Sequence, residues 1–96
     1  MTVVWSKCAL RDLDEIAAYI ANDSIKSAQL VEERIRHEVE LLSQFPLTGR
    51  VGRVAGTRER VVARTGFILL YRIGSTQIRV LRILRGTRKW PRTFTL

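Results

Sequence analysis

Several residue types are scarce in this chain of 96 residues, and each scarcity excludes a class of protein. Cys8 is the only cysteine, so neither an internal disulfide nor a cysteine-based zinc site can form. His37 is the only histidine, and nothing in the sequence places it beside Cys8, so we expect no catalytic thiol. No apolar run approaches the length of about 18 residues that a membrane span requires. We therefore expect a cytosolic protein with no membrane span, no metal site and no cofactor.

Acidic residues are nearly missing from the second half of the chain. Residues 50–96 contain twelve basic side chains and a single acidic one, Glu59, whereas residues 1–49 contain five basic and eight acidic side chains. The net charge of +8 is therefore the sum of −3 in the first half and +11 in the second. The charge of +11 in the second half indicates that it binds a polyanion or an acidic protein partner. The alternative is that this basic surface only keeps the protein soluble.

The length indicates a single domain, residues 1–96, with one modest core between two layers. Its central feature is a predicted β-hairpin with strands over residues 67–73 and 77–85, which are rich in Ile, Leu, Val and Tyr. Gly74-Ser75 is the predicted two-residue loop, because glycine readily adopts the positive φ of such a turn.

The predicted hairpin has two apolar faces, because side chains alternate along a strand. The predicted loop sets Leu69 opposite Val80 and Tyr71 opposite Ile78. The predicted core face carries Phe67, Leu69, Tyr71, Ile73, Ile78, Val80 and Leu84. The opposite face carries Ile68, Leu70, Leu81 and Ile83, framed by Arg72, Arg79 and Arg85. Since both faces are apolar, we expect the second one to be covered by the chain's own tail or by a partner.

Two amphipathic helices are predicted before the hairpin. Ser6 is the predicted N-cap of a helix over residues 7–22, in which apolar residues recur every three or four positions. A second helix is predicted to begin between residues 24 and 27 and to end at residue 44, where Pro46 follows. Joined by a short polar segment, the two form an antiparallel helical hairpin.

The remaining segments complete an α+β fold. Residues 2–5 predict a first strand, residues 46–56 a glycine-rich loop, and residues 58–64 the strand before the hairpin. The predicted architecture is therefore the helical hairpin packed on one face of a small antiparallel β-sheet, which consists of a three-strand meander plus the first strand. Residues 86–96 are predicted to form an extended tail.

The order of several segments resembles a known family. GRVGRVAGTRERVV (residues 49–62), ILLYRI (residues 68–73) and VLRILRGTRKWP (residues 80–91) resemble the ParE branch of the RelE/ParE toxins of bacterial type II toxin–antitoxin modules. Trp5-Ser6 and the Phe45-Pro46 helix end agree with it as well, so the resemblance covers nearly the whole chain. It implies the same fold, and it implies one of two activities: RelE-like members are ribosome-dependent mRNA endonucleases, and ParE-like members poison DNA gyrase.

The sequence differs from the RelE-like nucleases at positions where those nucleases carry functional basic residues. RelE-like members carry basic residues at the positions of Ile68 and Val61, and both residues are aliphatic here. Arg88 is the one position that still matches a nuclease arginine. Glu59 and Tyr71 are the only titratable candidates for acid–base work near the sheet, and Tyr71 points to the core in the predicted register. Arginine is a poor acid or base because its pKa stays above about 12.

The resemblance therefore implies a protein-binding toxin that inhibits DNA gyrase and is neutralised by a ParD-like antitoxin, with operator DNA contacted only through the antitoxin. The alternatives are a RelE-like mRNA endoribonuclease that uses Arg88, and simple nucleic-acid binding. The predicted partner-binding residues are Ile68, Leu70, Arg72, Arg79, Leu81, Ile83, Arg85, Arg88, Lys89 and Trp90. We expect the tail residues 88–90 to matter more for toxicity than for folding, although Trp90 could equally pack back on the sheet as a structural cover. The antitoxin segment is expected to be amphipathic, with aliphatic anchors and acidic flanks.

Overall fold

The structure is a computed structural model that describes residues 1–86 and residue 90. Two helices pack on one face of a five-stranded mixed sheet. The elements in chain order are β1 (Thr2–Trp5), α1 (Lys7–Ala21), α2 (Ile25–Gln44), a single 3-10 turn (Pro46–Thr48), β2 (Arg50–Val51), β3 (Arg58–Val61), β4 (Phe67–Ile73) and β5 (Gln77–Arg85). Of the predicted tail, only Gly86 and Trp90 lie within the described residues.

Serine hydroxyls cap both helices: the predicted cap at Ser6 is confirmed, and the cap at Ser24 lies within the range predicted for the start of the second helix. The Ser6 hydroxyl accepts a hydrogen bond from the Ala9 N–H at 3.0 Å, and the Ser24 hydroxyl accepts one from the Ser27 N–H at 3.1 Å. Pro46 follows the end of α2 and begins the 3-10 turn. Neither helix is long and apolar enough to cross a membrane.

The sheet order is β1-β5-β4-β3-β2, and β1 pairs with β5 in the parallel direction. The predicted antiparallel three-strand meander is confirmed as β3-β4-β5, whereas the first strand, whose position the sequence left open, joins in parallel and makes the sheet mixed. The helical hairpin lies between the two paired strands in sequence and provides the long crossover that a parallel pair requires. Val3 and Trp5 pack against the core, which fixes β1 at the β5 edge.

The predicted loop over residues 46–56 contains the 3-10 turn and the short edge strand β2. Glycine is required at position 49 because a Cβ there would collide with the Tyr71 hydroxyl. The predicted strand over residues 58–64 is shorter in the structure and ends at Val61. The chain then turns through Arg64, whose φ is 64°, and Gly66, whose φ is 77°.

The β4–β5 hairpin turns one residue later than predicted. Its two-residue loop is Ser75-Thr76, since the Gly74 N–H donates to the Gln77 carbonyl at 2.8 Å. Tyr71 consequently lies opposite Val80 and not opposite Ile78. The residue that pairs with Tyr71 is thus two positions further along β5 than predicted. Because side chains alternate with a period of two, Tyr71 and its partner remain on the predicted face.

A β-bulge at Leu81 then exchanges the two faces of β5. Beyond the bulge, Leu69 lies opposite Ile83 and Ile68 lies opposite Leu84. Ile83 therefore belongs to the core face and Leu84 to the opposite face, which reverses the predicted placement of both. One extra residue in one strand moves every later side chain to the other side.

The core lies between the helices and the sheet. The buried cluster consists of Ala9, Leu13, Ile35, Val39, Leu42, Val62, Phe67, Leu69, Tyr71, Ile78, Val80 and Ile83. Alternation along β4 directs Ile68 and Leu70 to the opposite side of the sheet, which we call the second face. Leu81 is buried outside the cluster that the helices cover.

Candidate functional site

The four aliphatic residues that were predicted to bind a partner are buried. Ile68, Leu70, Leu81 and Ile83 expose between 0% and 5% of their surface. The sequence expects this face to be covered by the chain's own tail or by a partner, and a role of these residues in binding a partner stays a prediction. Ile83 lies in the helix-side core because of the bulge, and the other three are shielded within the described protein's own fold.

The chain returns to the second face where β5 ends. The Gly86 N–H donates to the Gly66 carbonyl at 3.0 Å, and a Cβ at Gly86 would lie 3.0 Å from the Cδ1 atom of Ile68. The backbone at residue 86 thus passes directly beside the Ile68 side chain. This close approach explains why glycine suits the position.

Trp90 is partly exposed and contacts Arg53 and Arg85. Its ring centroid lies 3.7 Å from the guanidinium carbon of Arg53, and its indole N–H donates to the Arg85 carbonyl at 3.0 Å. A cation over the face of an indole ring is a favourable contact. These contacts are compatible with either of the two roles considered for Trp90, which both stay predictions. Arg88 and Lys89 lie outside the described residues.

Glu59 fixes the arginine on which Trp90 stacks. Its side chain is 1% exposed, and its carboxylate accepts hydrogen bonds from the Arg53 backbone N–H (2.7 Å), the Arg53 side chain (3.1 and 3.1 Å) and the Arg50 side chain (2.9 Å). Burial acts to raise the pKa of Glu59, but the hydrogen bonds from Arg53 and Arg50 outweigh it, and the pKa is lowered. Glu59 therefore remains ionised as a structural anchor for two cations.

Tyr71 is fully buried and points to the core, as predicted. Its hydroxyl donates to the Pro46 carbonyl at 2.7 Å and accepts from the Gly49 N–H at 3.0 Å. Burial raises its pKa. The Tyr71 hydroxyl thus joins β4 to the segment after α2, and it has no free position from which to exchange a proton with a substrate.

The predicted arginines on the sheet remain accessible. Arg72 and Arg79 are exposed and lie directly opposite each other on β4 and β5. Arg85 is exposed at the end of β5, with its guanidinium carbon 4.9 Å from the centroid of the Phe67 ring. These three arginines are exposed members of the predicted partner-binding set, and Trp90 is a partly exposed one.

An open groove of about 420 Å³ runs between α1 and the end of β5. Its lining includes Ile16, Tyr19, Phe67 and Arg85, and Tyr19 is 69% exposed. The sequence analysis did not identify this groove. The sequence feature that could have indicated the groove is the i, i+3 spacing of Ile16 and Tyr19. This spacing places both side chains on one face of α1, beside the residues that point to the core.

Asp12 connects the groove wall to the bulged strand. Its carboxylate accepts two hydrogen bonds from the Arg82 guanidinium, at 2.7 and 3.0 Å, and one from the Ile83 N–H at 2.9 Å. The hydrogen bond from Arg82 to Asp12 raises the pKa of Arg82. This carboxylate is thus engaged on both oxygens. Within residues 1–86 and 90, no three Cys, His, Asp or Glu side chains converge as a metal site would require.

A model of the family described as the ParE toxin of type II toxin–antitoxin systems, parDE, matches residues 3–90. The protein Y4kP of Sinorhizobium fredii is 41% identical over 87 residues, covering 91% of this chain and 90% of Y4kP. Toxin RelE2 of Caulobacter vibrioides is 31% identical over 86 residues, covering 90% of this chain and 96% of the relative.

A solved structure described as the chromosomal ParDE TA system from P. aeruginosa superposes with a TM-score of 0.80. It is 30% identical, and the match covers 88% of this chain and 95% of the other. The helical hairpin on a mixed sheet is thus an arrangement that a toxin–antitoxin structure shares.

Proposed function

This chain belongs to the ParE toxin family of type II toxin–antitoxin systems, and we propose that it arrests growth by binding DNA gyrase. A ParD-like antitoxin, produced with it, neutralises it. The toxin acts through protein contacts and not by cutting RNA. Operator DNA is contacted through the antitoxin.

The observation that carries this proposal is the engagement of both acid–base candidates in structural hydrogen bonds. RNA cleavage through the 2′-hydroxyl requires a base for that hydroxyl and an acid for the leaving group. Glu59 accepts four hydrogen bonds from two arginines, and Tyr71 is buried between Pro46 and Gly49. Neither side chain has the freedom that proton transfer to a bound RNA would need.

The antitoxin partner is supported by the ParDE system that shares this fold. We place its docking segment in the groove between α1 and the end of β5, because the predicted apolar positions of the second face are already buried. Tyr19 and Ile16 provide apolar contact there, and Arg85 provides a cation for an acidic flank. Each aliphatic anchor buried in the groove would contribute about 1.5–3 kcal/mol before ordering costs.

A RelE-like endoribonuclease is the second candidate. It is favoured by one observation, the 31% identity with a relative named Toxin RelE2 over nearly the whole chain. In this alternative, Arg88 would stabilise charge at the phosphate, and the acid and base would come from groups other than Glu59 and Tyr71.

Inducible expression in bacteria tests the two candidates together. The gyrase proposal expects growth arrest with a DNA-damage response and intact messenger RNA, and it expects co-expression of the antitoxin to restore growth. The control is the same plasmid with a frameshift early in the gene. Cleaved messenger RNA without a DNA-damage response would reverse the order of the candidates, and normal growth with abundant folded protein would contradict a toxic activity.

A further inference from the structure

The edge of β5 that faces β1 changes its neighbour at Val80. The pairing of β1 with β5 ends where Trp5 lies opposite Val80, and α1 begins shortly afterwards at Lys7. Beyond Val80, this edge of β5 therefore meets the beginning of α1 in place of a strand. Buried backbone groups at such an edge need hydrogen-bond partners other than a strand backbone.

Two side chains provide these partners. The Ser6 hydroxyl donates to the Leu81 carbonyl at 2.8 Å, and the Asp12 carboxylate accepts from the Ile83 N–H at 2.9 Å. The Ser6 N–H also donates to the Val80 carbonyl at 2.9 Å, so two successive carbonyls of β5 point to the same edge. A regular strand does not allow this arrangement, and the β-bulge produces it.

Apolar burial alone does not select the bulged register of β5. Without the extra residue, the regular pairing at Tyr71 would continue and set Leu84 opposite Phe67. Leu84 would then point to the helices and Ile83 to the second face. These two side chains are aliphatic isomers, and such exchanges are well tolerated in a core. A slip of one residue is costly where it exposes apolar side chains, and it exposes few here because both faces of the hairpin are apolar.

The hydrogen bonds from Ser6 and Asp12, by contrast, are made only in the bulged register. Backbone groups of successive residues in a regular strand point to opposite edges, and the Val80 carbonyl points to β1. In an unbulged strand, the Leu81 carbonyl and the Ile83 N–H, one and three positions later, would both point to β4. Each would then point away from its present partner. These contacts therefore distinguish the two registers.

The register also decides on which face Arg85 lies. In the bulged strand, Arg85 lies opposite Phe67, with its guanidinium carbon 4.9 Å from the centroid of the Phe67 ring, and it lines the groove beside α1. In an unbulged strand, Arg85 would lie opposite Gly66 and would share the second face with Arg79. The bulge thus moves one cation from the second face to the groove.

We propose that Asp12 is a positioning residue that, together with Ser6, holds β5 in the bulged register and so keeps Arg85 in the groove. The buried Asp12 carboxylate accepts from the Ile83 N–H and from the Arg82 guanidinium, so one group fixes two consecutive residues of β5. A buried polar contact that is satisfied in only one register specifies that register. The value of Arg85 as a cation for the antitoxin rests on the proposed function, whereas the selection of the register does not.

NMR spectroscopy of the isotope-labelled full chain tests the proposal in the parent protein. A scalar coupling across the hydrogen bond should join the Ile83 amide nitrogen to the Asp12 carboxyl carbon. Backbone NOEs should link Leu69 to Ile83, and the Phe67 ring should shift the signals of the Arg85 side chain upfield. Absence of the scalar coupling would overturn the proposal.

Three variants test the role of the carboxylate. Asp12→Ala removes the acceptor, whereas Asp12→Asn keeps one oxygen that accepts from the Ile83 N–H. Asp14→Ala is the matched control, because it removes one negative charge from an exposed position of the same helix. In Asp12→Ala, we expect the Ile83 amide to exchange with solvent about tenfold faster, NOEs from Ile68 to Ile83 to appear, and the upfield shift of Arg85 to be lost. Asp12→Asn and Asp14→Ala should keep the NOEs of the parent.

Two outcomes in the variants would overturn the proposal. Parent-like NOEs and parent-like exchange of the Ile83 amide in Asp12→Ala would mean that the bulge persists without the carboxylate. An equal change in Asp14→Ala would assign the effect to the charge of the helix. If circular dichroism shows that Asp12→Ala is unfolded, the scalar coupling in the parent and the NOEs of Asp12→Asn decide. Neither antitoxin nor gyrase takes part in these measurements, so this proposal and the proposed function fail independently.

Discussion

Glu59 and Arg53 are joined by three hydrogen bonds, one from the Arg53 backbone and two from its guanidinium. The Glu59 side chain is 1% exposed and the Arg53 side chain is 41% exposed, so the pair lies at the border between the sheet and solvent. The exposed side of that guanidinium is where Trp90 stacks. Glu59, which was a candidate acid–base group for RNA cleavage, thus holds the arginine that Trp90 contacts.

Replacing Glu59 by Gln should destabilise the protein by about 2–3 kcal/mol at pH 7, because the Arg53 N–H and the two arginine side chains lose the charged, buried acceptor of four hydrogen bonds. The folded-state pKa of Glu59 is lowered, so its contribution is present above its ordinary pKa and is lost as the pH falls through the folded value. The difference between parent and variant should therefore shrink below about pH 4.3. Urea denaturation at neutral and acidic pH measures it, and a difference that does not change with pH would contradict the assignment.

Replacing Trp90 by Ala should lower the free energy of unfolding by about 0.5–2 kcal/mol, through loss of the stack on Arg53. For a domain of this size, each kcal/mol lowers Tm by about 4–8 °C. Trp90→Phe is the matched control, since it retains a ring but cannot donate to the Arg85 carbonyl. An unchanged Tm in the Ala variant, combined with lost toxicity, would instead favour a direct role of Trp90 at the target.

Replacing Ser6 by Ala should cost more than replacing Ser24 by Ala, although both serines cap a helix. Ser24 makes only the capping bond, worth about 1 kcal/mol. The buried Ser6 hydroxyl also donates to the carbonyl of Leu81 in the bulge at 2.8 Å, and leaving that carbonyl unpaired adds about 1–3 kcal/mol. Chemical denaturation of the two variants measures the loss in the free energy of unfolding, which should be larger for Ser6→Ala. Equal losses would mean that the Leu81 carbonyl finds another hydrogen-bond donor.

Replacing Tyr71 by Phe should destabilise the fold by about 1–3 kcal/mol, because Pro46 and Gly49 each lose a hydrogen-bond partner. The raised folded-state pKa of Tyr71 means that its stabilising contribution is lost as the pH rises through that value, above about pH 10. Alkaline unfolding of the parent and variant in a Tyr19→Phe background measures this. If the variant remains as stable as the parent, the hydroxyl is not the structural bridge described here.

The helices, their caps and the existence of the central hairpin were predictable, because local periodicity and serine chemistry determine them. The face assignment of Ile83 and Leu84 was not, since it depends on one extra residue at Leu81 that no local pattern marks. The parallel pairing of β1 with β5 was also not predicted, because no local sequence pattern determines the edge of the sheet to which β1 adds.

The same limits apply to the candidate site. Arg72, Arg79 and Arg85 were expected at the rim of the second face, and the structure shows them exposed, because burying a charge without an ionic partner is costly. The sequence indicated that Leu70 and Leu81 would be covered, but it could not decide whether the chain itself or a partner covers them. Aspartate at either position would place a carboxylate where at most 1% is exposed, so such variants would test folding and not antitoxin binding.

The most direct test of the account is a supercoiling and cleavage-complex assay with purified DNA gyrase and the purified full chain. The account predicts that the toxin blocks supercoiling in proportion to its concentration and that prior addition of the antitoxin restores activity. A parallel reaction with translating ribosomes should leave messenger RNA intact. Unaffected gyrase together with cleavage of messenger RNA on the ribosome would contradict the central claim.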